Sequence, residues 1–421
     1  MNALVIGGGG REHALVWRLA QSESIDKVYC TPGNGGVAFE ASCIPGQINS
    51  PSEMAALAET LGVAFTVVGP EAPLVAGVAD EFRSRGMPIV GPSSANAQLE
   101  GSKVFCKEFL QANSIPTAQS ATVETVDELD AVLAKFGFPV ALKADGLAAG
   151  KGVVIVEDES EGKRVGREML AGEMVGSAGK RLLVEEFLTG RELSFIILTD
   201  GERVFEFRPT QDHKAALDGD KGPNTGGMGA YCDDAIMVPE LRQEILDRVI
   251  EPSLASLRKS GNPFQGFLYA GLMITDAGAK VLEYNVRMGD PETQPLLYRM
   301  TGEFGQLLFT AAKGELDTSS VGWREGATCS VVIASEGYPG SYPKGRVISG
   351  IPDADGTGAK VFHAGTLLRD GNLVTSGGRV LGVTAAGPDL KSAIDGAYAA
   401  VDKIDFEGSQ YRTDIGAKGL A

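Results

Sequence analysis

The chain has 421 residues, of which 43% are hydrophobic and 22% charged, and its formal net charge is −17. A surface this acidic repels polyanions, so the composition argues against nucleic acids and anionic membranes as partners. The five cysteines are dispersed without a CxxC pair and there are three histidines, which favours a reduced cytoplasmic protein over a disulfide framework or a zinc site.

Residues 1–102 alternate short apolar runs with helical patterns, which predicts a βαβ series and a doubly wound parallel sheet. A polar turn follows each apolar run: GGGGREH, GNGG, GPEAP and GPS. Because open α/β sheets bind ligands at the carboxyl ends of their strands, these turns mark a candidate ligand site. Helices are expected from about Glu12 to Ala20, from a capping box at Ser50–Glu53 to Gly62, and in a third stretch that runs to Arg85.

The first turn does not match a dinucleotide-binding fingerprint. Glu12 stands where the third glycine of G-x-G-x-x-G belongs, and Thr31-Pro32 replaces the acidic residue that would hold a ribose. Small anions bound by backbone N–H groups are therefore favoured over NAD. For any single turn, glycines that only permit a tight bend remain the alternative.

A second glycine-rich turn lies between two apolar strands in LKADGLAAGKGVVIV, residues 142–156. Its glycine spacing differs from that of a P-loop, no Ser or Thr follows Lys151, and a strand follows where a P-loop has a helix. Lys143 lies inside the first strand, where a lysine needs a compensating anion such as a nucleotide phosphate. The stretch therefore predicts phosphate binding by a turn between two strands.

From Lys103 onward, short turns connect apolar strands, which indicates antiparallel pairing. The polar stretch 212–230 shows no periodicity, and long loops of this kind are commonly functional. After it we expect a helix at about 239–260 and strands at 268–274 and 280–289.

Residues 313–327 have the composition of a domain boundary. We therefore expect three domains: a Rossmann-like domain at 1–102, an antiparallel α+β domain at 103–314, and a small α+β domain at 326–421. The last of these ends with an amphipathic helix at about Leu390–Ile404.

The strand KVLEYNVRMG concentrates polar side chains on one face. Alternation places Glu283, Asn285 and Arg287 together. A carboxylate and an amide oxygen suit Mg²⁺, and the arginine can hold a carboxylate or phosphate with two hydrogen bonds. A solvated face with a Glu–Arg pair is the alternative. The remaining side chains of the strand are expected on the opposite face: Leu282, Tyr284 and Val286.

Several segments together resemble the ATP-grasp ligases, and more narrowly the glycinamide ribonucleotide synthetase family. The likeness extends over essentially the whole chain, and RMGDPETQ is its most specific part. The segments are Lys103, KADGLAAGKG (143–152), VEEFL (184–188), NTGGMG (224–229) and LEYNVRMGDPETQ (282–294), with GNGG, PEAPL and DHK in agreement.

This resemblance implies that ATP and Mg²⁺, or Mn²⁺, convert glycine to glycyl phosphate. The amine of 5-phosphoribosylamine then attacks, which gives glycinamide ribonucleotide, ADP and phosphate in the second step of de novo purine biosynthesis. It also implies an ATP-grasp fold in which a mobile lid at about 120–188 carries the glycine-rich turn and closes over the nucleotide.

The residue patterns and the resemblance together assign roles to individual residues. Catalytic roles fall on Lys143, Asp212, Lys214 and Arg287. ATP contacts fall on Lys103, Lys143, Gly150, Lys151, Gly152, Glu185, Glu186, Phe187, Leu188 and Glu192. Substrate contacts fall on Gly8, Gly9, Asn34, Gly35, Gly36, Glu71, Asp212, Lys214, Asn224, Thr225, Gly226, Gly227, Met228, Arg287 and Asp290. Glu283 and Asn285 are the expected metal ligands.

Two other functions remain open on the sequence. One is a different ATP-grasp carboxylate–amine ligase, and the other is a non-catalytic nucleotide sensor. No apolar stretch reaches the roughly 18 residues that a transmembrane helix needs, and the N-terminus lacks the pattern of a secretion signal. We expect a monomer or a weak dimer with small-molecule substrates only.

Overall fold

The computed structural model describes residues 1–146, 152–174 and 179–420. The first part of the chain forms the predicted parallel sheet. Its strands are β1 (Asn2–Gly7), β2 (Lys27–Pro32), β3 (Ser42–Cys43), β4 (Phe65–Val68) and β5 (Ile89–Val90), in the spatial order β3-β2-β1-β4-β5. The helices around it are α1 (Gly10–Ala20), α2 (Val37–Glu40), α3 (Pro51–Leu61), α4 (Glu71–Val75), α5 (Val78–Ser84), α6 (Ser94–Gly101) and α7 (Lys103–Ala112).

Two local predictions for this part are wrong. The helix expected to run to Arg85 is broken into α4 and α5, because Gly77 adopts a left-handed conformation with φ +90°. The capping box at Ser50 does not form, since the Ser50 side chain makes no cap hydrogen bond and Glu53 instead accepts the N–H of Gln47 at 3.1 Å.

The next unit is a four-stranded antiparallel sheet with two helices on it. Its elements are β6 (Ser120–Val123), α8 (Val126–Leu133), β7 (Val140–Ala144), β8 (Val153–Val156), α9 (Glu159–Leu170) and β9 (Leu182–Glu186), with the strands in the order β6-β9-β7-β8. The buried apolar residues of this unit form a cluster of their own, from Val123 to Val184. The unit therefore has a core separate from that of the rest of the chain.

A ten-stranded sheet occupies the middle of the molecule. Its first half is built from β10 (Arg191–Thr199), β11 (Val204–Glu206), β12 (Thr210–Asp212), β15 (Gly229–Cys232), β16 (Gly266–Thr275) and β17 (Gly278–Asn285). The other elements of this region are β13 (Ala215–Leu217), β14 (Lys221–Asn224), α10 (Pro239–Ile245), α11 (Glu251–Lys259), α12 (Thr293–Arg299), β18 (Met300–Gly302), α13 (Phe304–Ala312) and β19 (Val321–Trp323).

The last region extends the same sheet. Its elements are β20 (Ala327–Ser335), α14 (Ile351–Asp355), β21 (Lys360–His363), β22 (Thr366–Arg369), β23 (Asn372–Thr375), β24 (Arg379–Gly387), α15 (Leu390–Val401) and β25 (Ser409–Gln410). The sheet order is β17-β16-β10-β12-β15-β20-β24-β21, with β11 on β10 and β25 on β20. Because β15 pairs with β20, hydrogen bonding continues across the predicted boundary at 313–327. The three-domain division itself stays a prediction.

The polar stretch 212–230 is not the aperiodic loop that its sequence suggests. Strands β13 and β14 pair as a hairpin inside it, and β15 completes it within the central sheet. Glycine and charge conceal this pairing in the sequence, since residues 217–224 are all exposed and lack the alternation of a half-buried strand.

The strand β17 contains a bulge that corrects its predicted faces. Glu283 lies opposite Gly271, whereas Val281 lies opposite Leu272, so Leu282 is the extra residue. Leu282 therefore packs against a small apolar cluster that includes Met273, whereas Tyr284 lies in the main core cluster.

The helix predicted at 239–260 is continuous but contains one wide turn. Residues Leu246–Ile250 are π-helical, and the N–H of Glu251 donates to the carbonyl of Leu246. Pro252 follows immediately, and the wide turn accommodates a residue that has no N–H to donate. Among the described residues, no helix combines the length and apolar character needed to cross a membrane.

We expect Gly266→Ala to destabilise the chain by at least about 2 kcal/mol, because Gly266 has φ +115° and an added Cβ would lie 2.9 Å from the backbone of Gly91. Gly62→Ala is the matched control. Its φ of +58° is also left-handed but nothing lies within 4 Å, so it should cost only about 1 kcal/mol. Urea unfolding of both variants measures the difference, and equal losses would show that the contact with Gly91 carries no weight.

Candidate active site

A cleft of about 350 Å³ opens where the carboxyl ends of β1 and β2 face the last region of the chain. Gly8, Gly9, Asn34 and Asp290, all predicted from the sequence, lie in its wall. The other lining residues were not predicted: Gly33, Ala364, Gly365, Thr366, Ser376 and Arg379. The cleft therefore takes about half of its wall from the region that starts at β20.

The predicted glycines allow very close packing in this wall. A Cβ on Gly8 would lie 2.5 Å from the Gly33 carbonyl, and one on Gly36 would lie 2.3 Å from the His363 ring. The N–H of Gly35 donates to Thr366 at 3.1 Å, and that of Gly36 donates to Asn34 at 2.9 Å. These two N–H groups are thus already used within the protein.

The side chain of Asn34 forms hydrogen bonds with backbone groups around the cleft. Its amide nitrogen donates to the carbonyls of Gly8 at 3.0 Å and His363 at 2.7 Å. Its amide oxygen accepts the N–H of Val37 at 3.0 Å. Asn34 therefore ties the first two glycine turns to the last region of the chain.

Among the described residues that line the cleft, Arg379 is the only one with a cationic side chain. Its Nη1 donates to the carbonyl of Asp290 at 2.6 Å, and its Nη2 lies 3.7 Å from the Asp290 carboxylate. Burial opposes the charge of Arg379, but Asp290, Tyr338 and Glu292 together outweigh it and raise the pKa of the guanidinium. No motif marks this arginine, which opens the ordinary apolar strand β24.

Oppositely charged groups surround Lys214 beside the central sheet. Its Nζ lies 3.5 Å from Glu192 and 3.7 Å from Glu283. Burial opposes ionisation of Glu283, but Lys214, Lys143 and other cations outweigh it and lower its pKa to about 2. Burial raises the pKa of Asp212 to about 8, because desolvation of its carboxylate outweighs the attraction of Lys214.

Arg287 connects the end of the parallel sheet with the central sheet. Its Nη2 donates to Glu100 at 2.6 Å and to the amide oxygen of Asn285 at 2.9 Å. Its Nε lies 3.8 Å from the carboxylate of Glu71, which follows β4. Burial raises the pKa of Glu71, but Arg287 and Arg11 outweigh it and the net shift is downward. Glu100 was not predicted, because nothing in α6 sets it apart.

The buried carboxylate of Glu185 compensates the positive charge of Lys143. Glu185 is 2% exposed, and its two oxygens lie 2.6 Å from Lys143 and 2.7 Å from Lys107. Lys143 also donates to the carbonyl of Leu282 at 3.3 Å. Burial lowers the pKa of Lys107, although Glu185 opposes the shift. The protein itself thus supplies a compensating anion for Lys143, and the role of Lys143 toward a nucleotide phosphate stays a prediction. Lys107 is a partner of Glu185 that sequence reasoning missed.

The residues predicted to contact ATP continue beyond the end of β9 to Leu188. The N–H of Glu186 donates to the Gln119 carbonyl at 3.0 Å, and Phe187 is 43% exposed. Leu188 packs with Ala118 and Met273 in a small buried apolar cluster.

The remaining predicted residues differ in their surroundings. Lys103 donates to the carbonyl of Gly146 at 3.2 Å, and Gly152 is buried. Gly150 and Lys151 lie outside the described residues. Thr225 donates from both its N–H and its hydroxyl to the carbonyl of Lys214, at 2.8 Å each.

The rest of NTGGMG serves packing or lies on the surface. An added Cβ on Gly227 would lie 2.4 Å from Pro291, and Met228 is 1% exposed. The N–H of Gly226 donates to the Tyr338 hydroxyl at 3.0 Å, and Asn224 is exposed.

Glu283 and Asn285 offer oxygen donors of the kind that Mg²⁺ and Mn²⁺ accept. Within the described part of the chain, no group of three or more His, Cys, Asp or Glu residues could hold a metal ion. A carboxylate and an amide nevertheless fit a site that phosphates and water complete, which is how Mg²⁺ is often bound. The low pKa of Glu283 keeps this donor ionised.

Comparisons with known proteins agree along the whole chain. Residues 1–100, 101–293 and 328–418 match the models of the phosphoribosylglycinamide synthetase N domain, ATP-grasp (A) domain and C domain, respectively. The phosphoribosylamine–glycine ligase of Pseudomonas aeruginosa is 48% identical over 100% of this chain and 99% of its own length.

Solved structures give the same picture of the fold. The crystal structure of the phosphoribosylamine–glycine ligase of Thermotoga maritima covers 99% of this chain and 100% of its own, with a TM-score of 0.86 and 33% identity. The biotin carboxylase domain of the Hydrogenobacter thermophilus 2-oxoglutarate carboxylase, solved with MgADP and bicarbonate, has a TM-score of 0.73 at 18% identity. It covers 97% of this chain and 91% of its own. At that identity the likeness concerns the fold alone.

We expect Glu185→Ala to destabilise the nucleotide-free chain by about 3–5 kcal/mol, because it leaves two buried ammonium groups without their carboxylate. Glu186→Ala is the control on the next residue of the strand. Its ion pair with Lys280, at 3.2 Å, is partly exposed and should contribute at most about 1 kcal/mol. Urea unfolding compares the two, and a small loss for Glu185→Ala would show that the lysines find other partners.

Proposed function

The chain belongs to the phosphoribosylglycinamide synthetase family, and from this premise we propose that it joins glycine to 5-phosphoribosylamine while ATP is converted to ADP and phosphate. The observation that carries the proposal is the joining of two sites through Arg287. This arginine lies 3.8 Å from Glu71 at the parallel sheet and bonds Asn285 at the central sheet. One substrate can thus reach the other at this point.

The reaction needs an activated carboxylate. Transfer of the γ-phosphoryl group of ATP to glycine forms glycyl phosphate and releases ADP. The amine nitrogen then attacks the acyl carbon and loses a proton, a C–N bond forms, and the C–O bond to phosphate breaks. Phosphate is the leaving group that the free carboxylate lacks.

The cations around Glu283 suit phosphoryl transfer. We assign Lys103 and Lys143 to the ATP phosphates, and Lys214 and Arg287 to the oxygens that gain charge during transfer. A Mg²⁺ or Mn²⁺ ion held by Glu283 and Asn285 would neutralise further phosphate charge. We assign the adenine base of ATP to the apolar cluster at Leu188, and the ribose of ATP to Glu192.

The cleft of 350 Å³ suits the phosphate and ribose of phosphoribosylamine. Arg379 offers a guanidinium for the phosphate, beside the backbone of Gly8 and Gly9. We assign the ribose hydroxyls to Glu71, which follows β4 and lies 3.8 Å from Arg287. Asp212 and Asp290 remain for the glycine ammonium group or the attacking amine.

Closure of the turn at 150–152 over the phosphates, a cytoplasmic location and a monomeric or weakly dimeric state belong to the same proposal. Each follows from the sequence or the family. The separate core of the unit at 120–186 supports movement of that unit as one body.

The decisive experiment measures ADP release with purified protein, ATP and Mg²⁺, and identifies the product by mass. We expect ADP and glycinamide ribonucleotide only when glycine and phosphoribosylamine are both present. Bicarbonate in place of glycine is the control, since a structural neighbour was solved with it. ADP release that depends on bicarbonate and not on glycine would contradict the proposed function.

Glu283→Gln should lower turnover at least about a hundredfold at saturating ATP, because an amide is a much poorer metal ligand than a carboxylate. Raising Mg²⁺ should not restore the rate. Glu251→Gln is the control, because Glu251 is an exposed helical acid whose nearest cation, Arg258, lies at 3.8 Å. Near-normal turnover of Glu283→Gln would remove this residue from the metal site.

Arg379→Ala should raise the KM for phosphoribosylamine at least about tenfold, since hydrogen bonds to a charged group contribute on the order of 1.5–3 kcal/mol. The KM values for ATP and glycine should stay nearly constant. Arg369→Ala, on the exposed part of β22, is the matched control. A rise in the KM for ATP alone would place the arginine's role elsewhere.

A further inference from the structure

The hairpin formed by β13 and β14 has little apolar packing of its own, although Lys214 lies at its base. All residues from 217 to 224 are exposed, and Leu217 is 58% exposed. A two-stranded hairpin in water is only marginally stable without packing. Contacts from outside the hairpin are therefore expected to help fix its position beside Lys214.

Arg412, in the chain that follows β25, is buried against this hairpin. It is 1% exposed, and its Nη1 donates to the carbonyl of Ala215 at 3.1 Å and to Asp220 at 3.1 Å. Its Nε and Nη2 donate to the two oxygens of Asp414 at 2.7 Å each. The guanidinium thus connects β13 and the turn of the hairpin, at Asp220, to its own segment.

Residues 411–419, which we call the C-terminal segment, make further polar contacts with the hairpin. Asp414 accepts the N–H of Gly219 at 2.8 Å, and Asp218 accepts the N–H of Thr413 at 2.8 Å. The Thr413 hydroxyl also donates to Asp218, and Lys418 forms an ion pair with Asp220 at 2.6 Å. Just before the hairpin, Nε2 of His213 accepts the N–H of Gly416 at 3.3 Å.

These contacts surround Lys214 on the chain. Its neighbour His213 receives the Gly416 N–H, and its other neighbour Ala215 receives Arg412. The Lys214 carbonyl is held by Thr225. The C-terminal segment therefore binds the Ala215 carbonyl on one side of the lysine and the His213 imidazole on the other, and the Lys214 side chain lies near Glu192 and Glu283.

We propose that Arg412 is a positioning residue, which through Ala215 and Asp220 holds the hairpin so that Lys214 stays within reach of the transferring phosphoryl group. The role of Lys214 rests on the proposed function, whereas the hold on the hairpin does not. A paired, buried guanidinium is poor evidence for a gain in global stability, because its desolvation offsets much of the attraction. We therefore expect Arg412 to stabilise the hairpin locally and to contribute little to the global free energy of unfolding.

The first test is hydrogen exchange of the full chain without nucleotide. In Arg412→Ala, amides of residues 213–224 should exchange at least about tenfold faster, with the rest of the chain unchanged. Lys391→Ala is the control, because it removes an exposed ion pair with Asp395 on nearby α15. Unchanged exchange in the hairpin, or equal acceleration throughout the chain, would overturn the proposal.

The second test is a double-mutant cycle on turnover. Arg412→Ala should lower kcat at least about tenfold and leave the KM for ATP within about twofold, as expected for a group that acts through another. Combined with Lys214→Ala it should add no further loss, because both changes remove the same ammonium group from the site. Additive losses would overturn the role in positioning Lys214.

Asp220→Asn is the second variant if Arg412→Ala does not yield folded protein. It removes an Arg412 partner from the exposed hairpin without opening the interior, and the same outcomes decide. If the wild-type chain forms no glycinamide ribonucleotide, the proposed function fails, while the exchange experiment still decides whether the C-terminal segment holds the hairpin.

Discussion

The four residues of β15 pair with β12 on one side and with β20 on the other, and the arrangement of the site depends on these two pairings. They place the last region of the chain beside the stretch that carries Asp212 and Lys214. They also set Arg379, at the start of β24, against Asp290. Without this continuous sheet the cleft would lack the wall that β22 and β24 supply.

Charge balance is the second constraint on the site. Lys214, Arg287, Lys143 and Lys107 are all paired with carboxylates before any nucleotide binds. A binding phosphate therefore competes with carboxylates already in place, and does not enter a site of bare positive charge. The cationic side chains of the site can remain buried without a ligand, because each of them is paired with a carboxylate.

The fold class and most elements could be predicted because they depend on local patterns. Apolar runs, glycine turns and helical periodicity mark the βαβ series and the antiparallel strands, and the parallel sheet and the antiparallel pairing are present as expected. The errors fall where backbone conformation overrides a pattern: Gly77 divides a helix, the bulge at Leu282 moves a side chain to the other face, and hairpin 215–224 has no alternation to reveal it.

By itself the sequence determined the family and the residue types of the site, since motifs such as RMGDPETQ are contiguous and carry their chemistry in the order of the chain. Only the tertiary structure decided the partners. Glu100, Lys107, Arg379 and Arg412 belong to segments without any motif, and each acquires its role by meeting a residue far away in sequence. Pairing of buried charges depends on the distance between side chains in space, and the order of residues in the sequence does not give that distance.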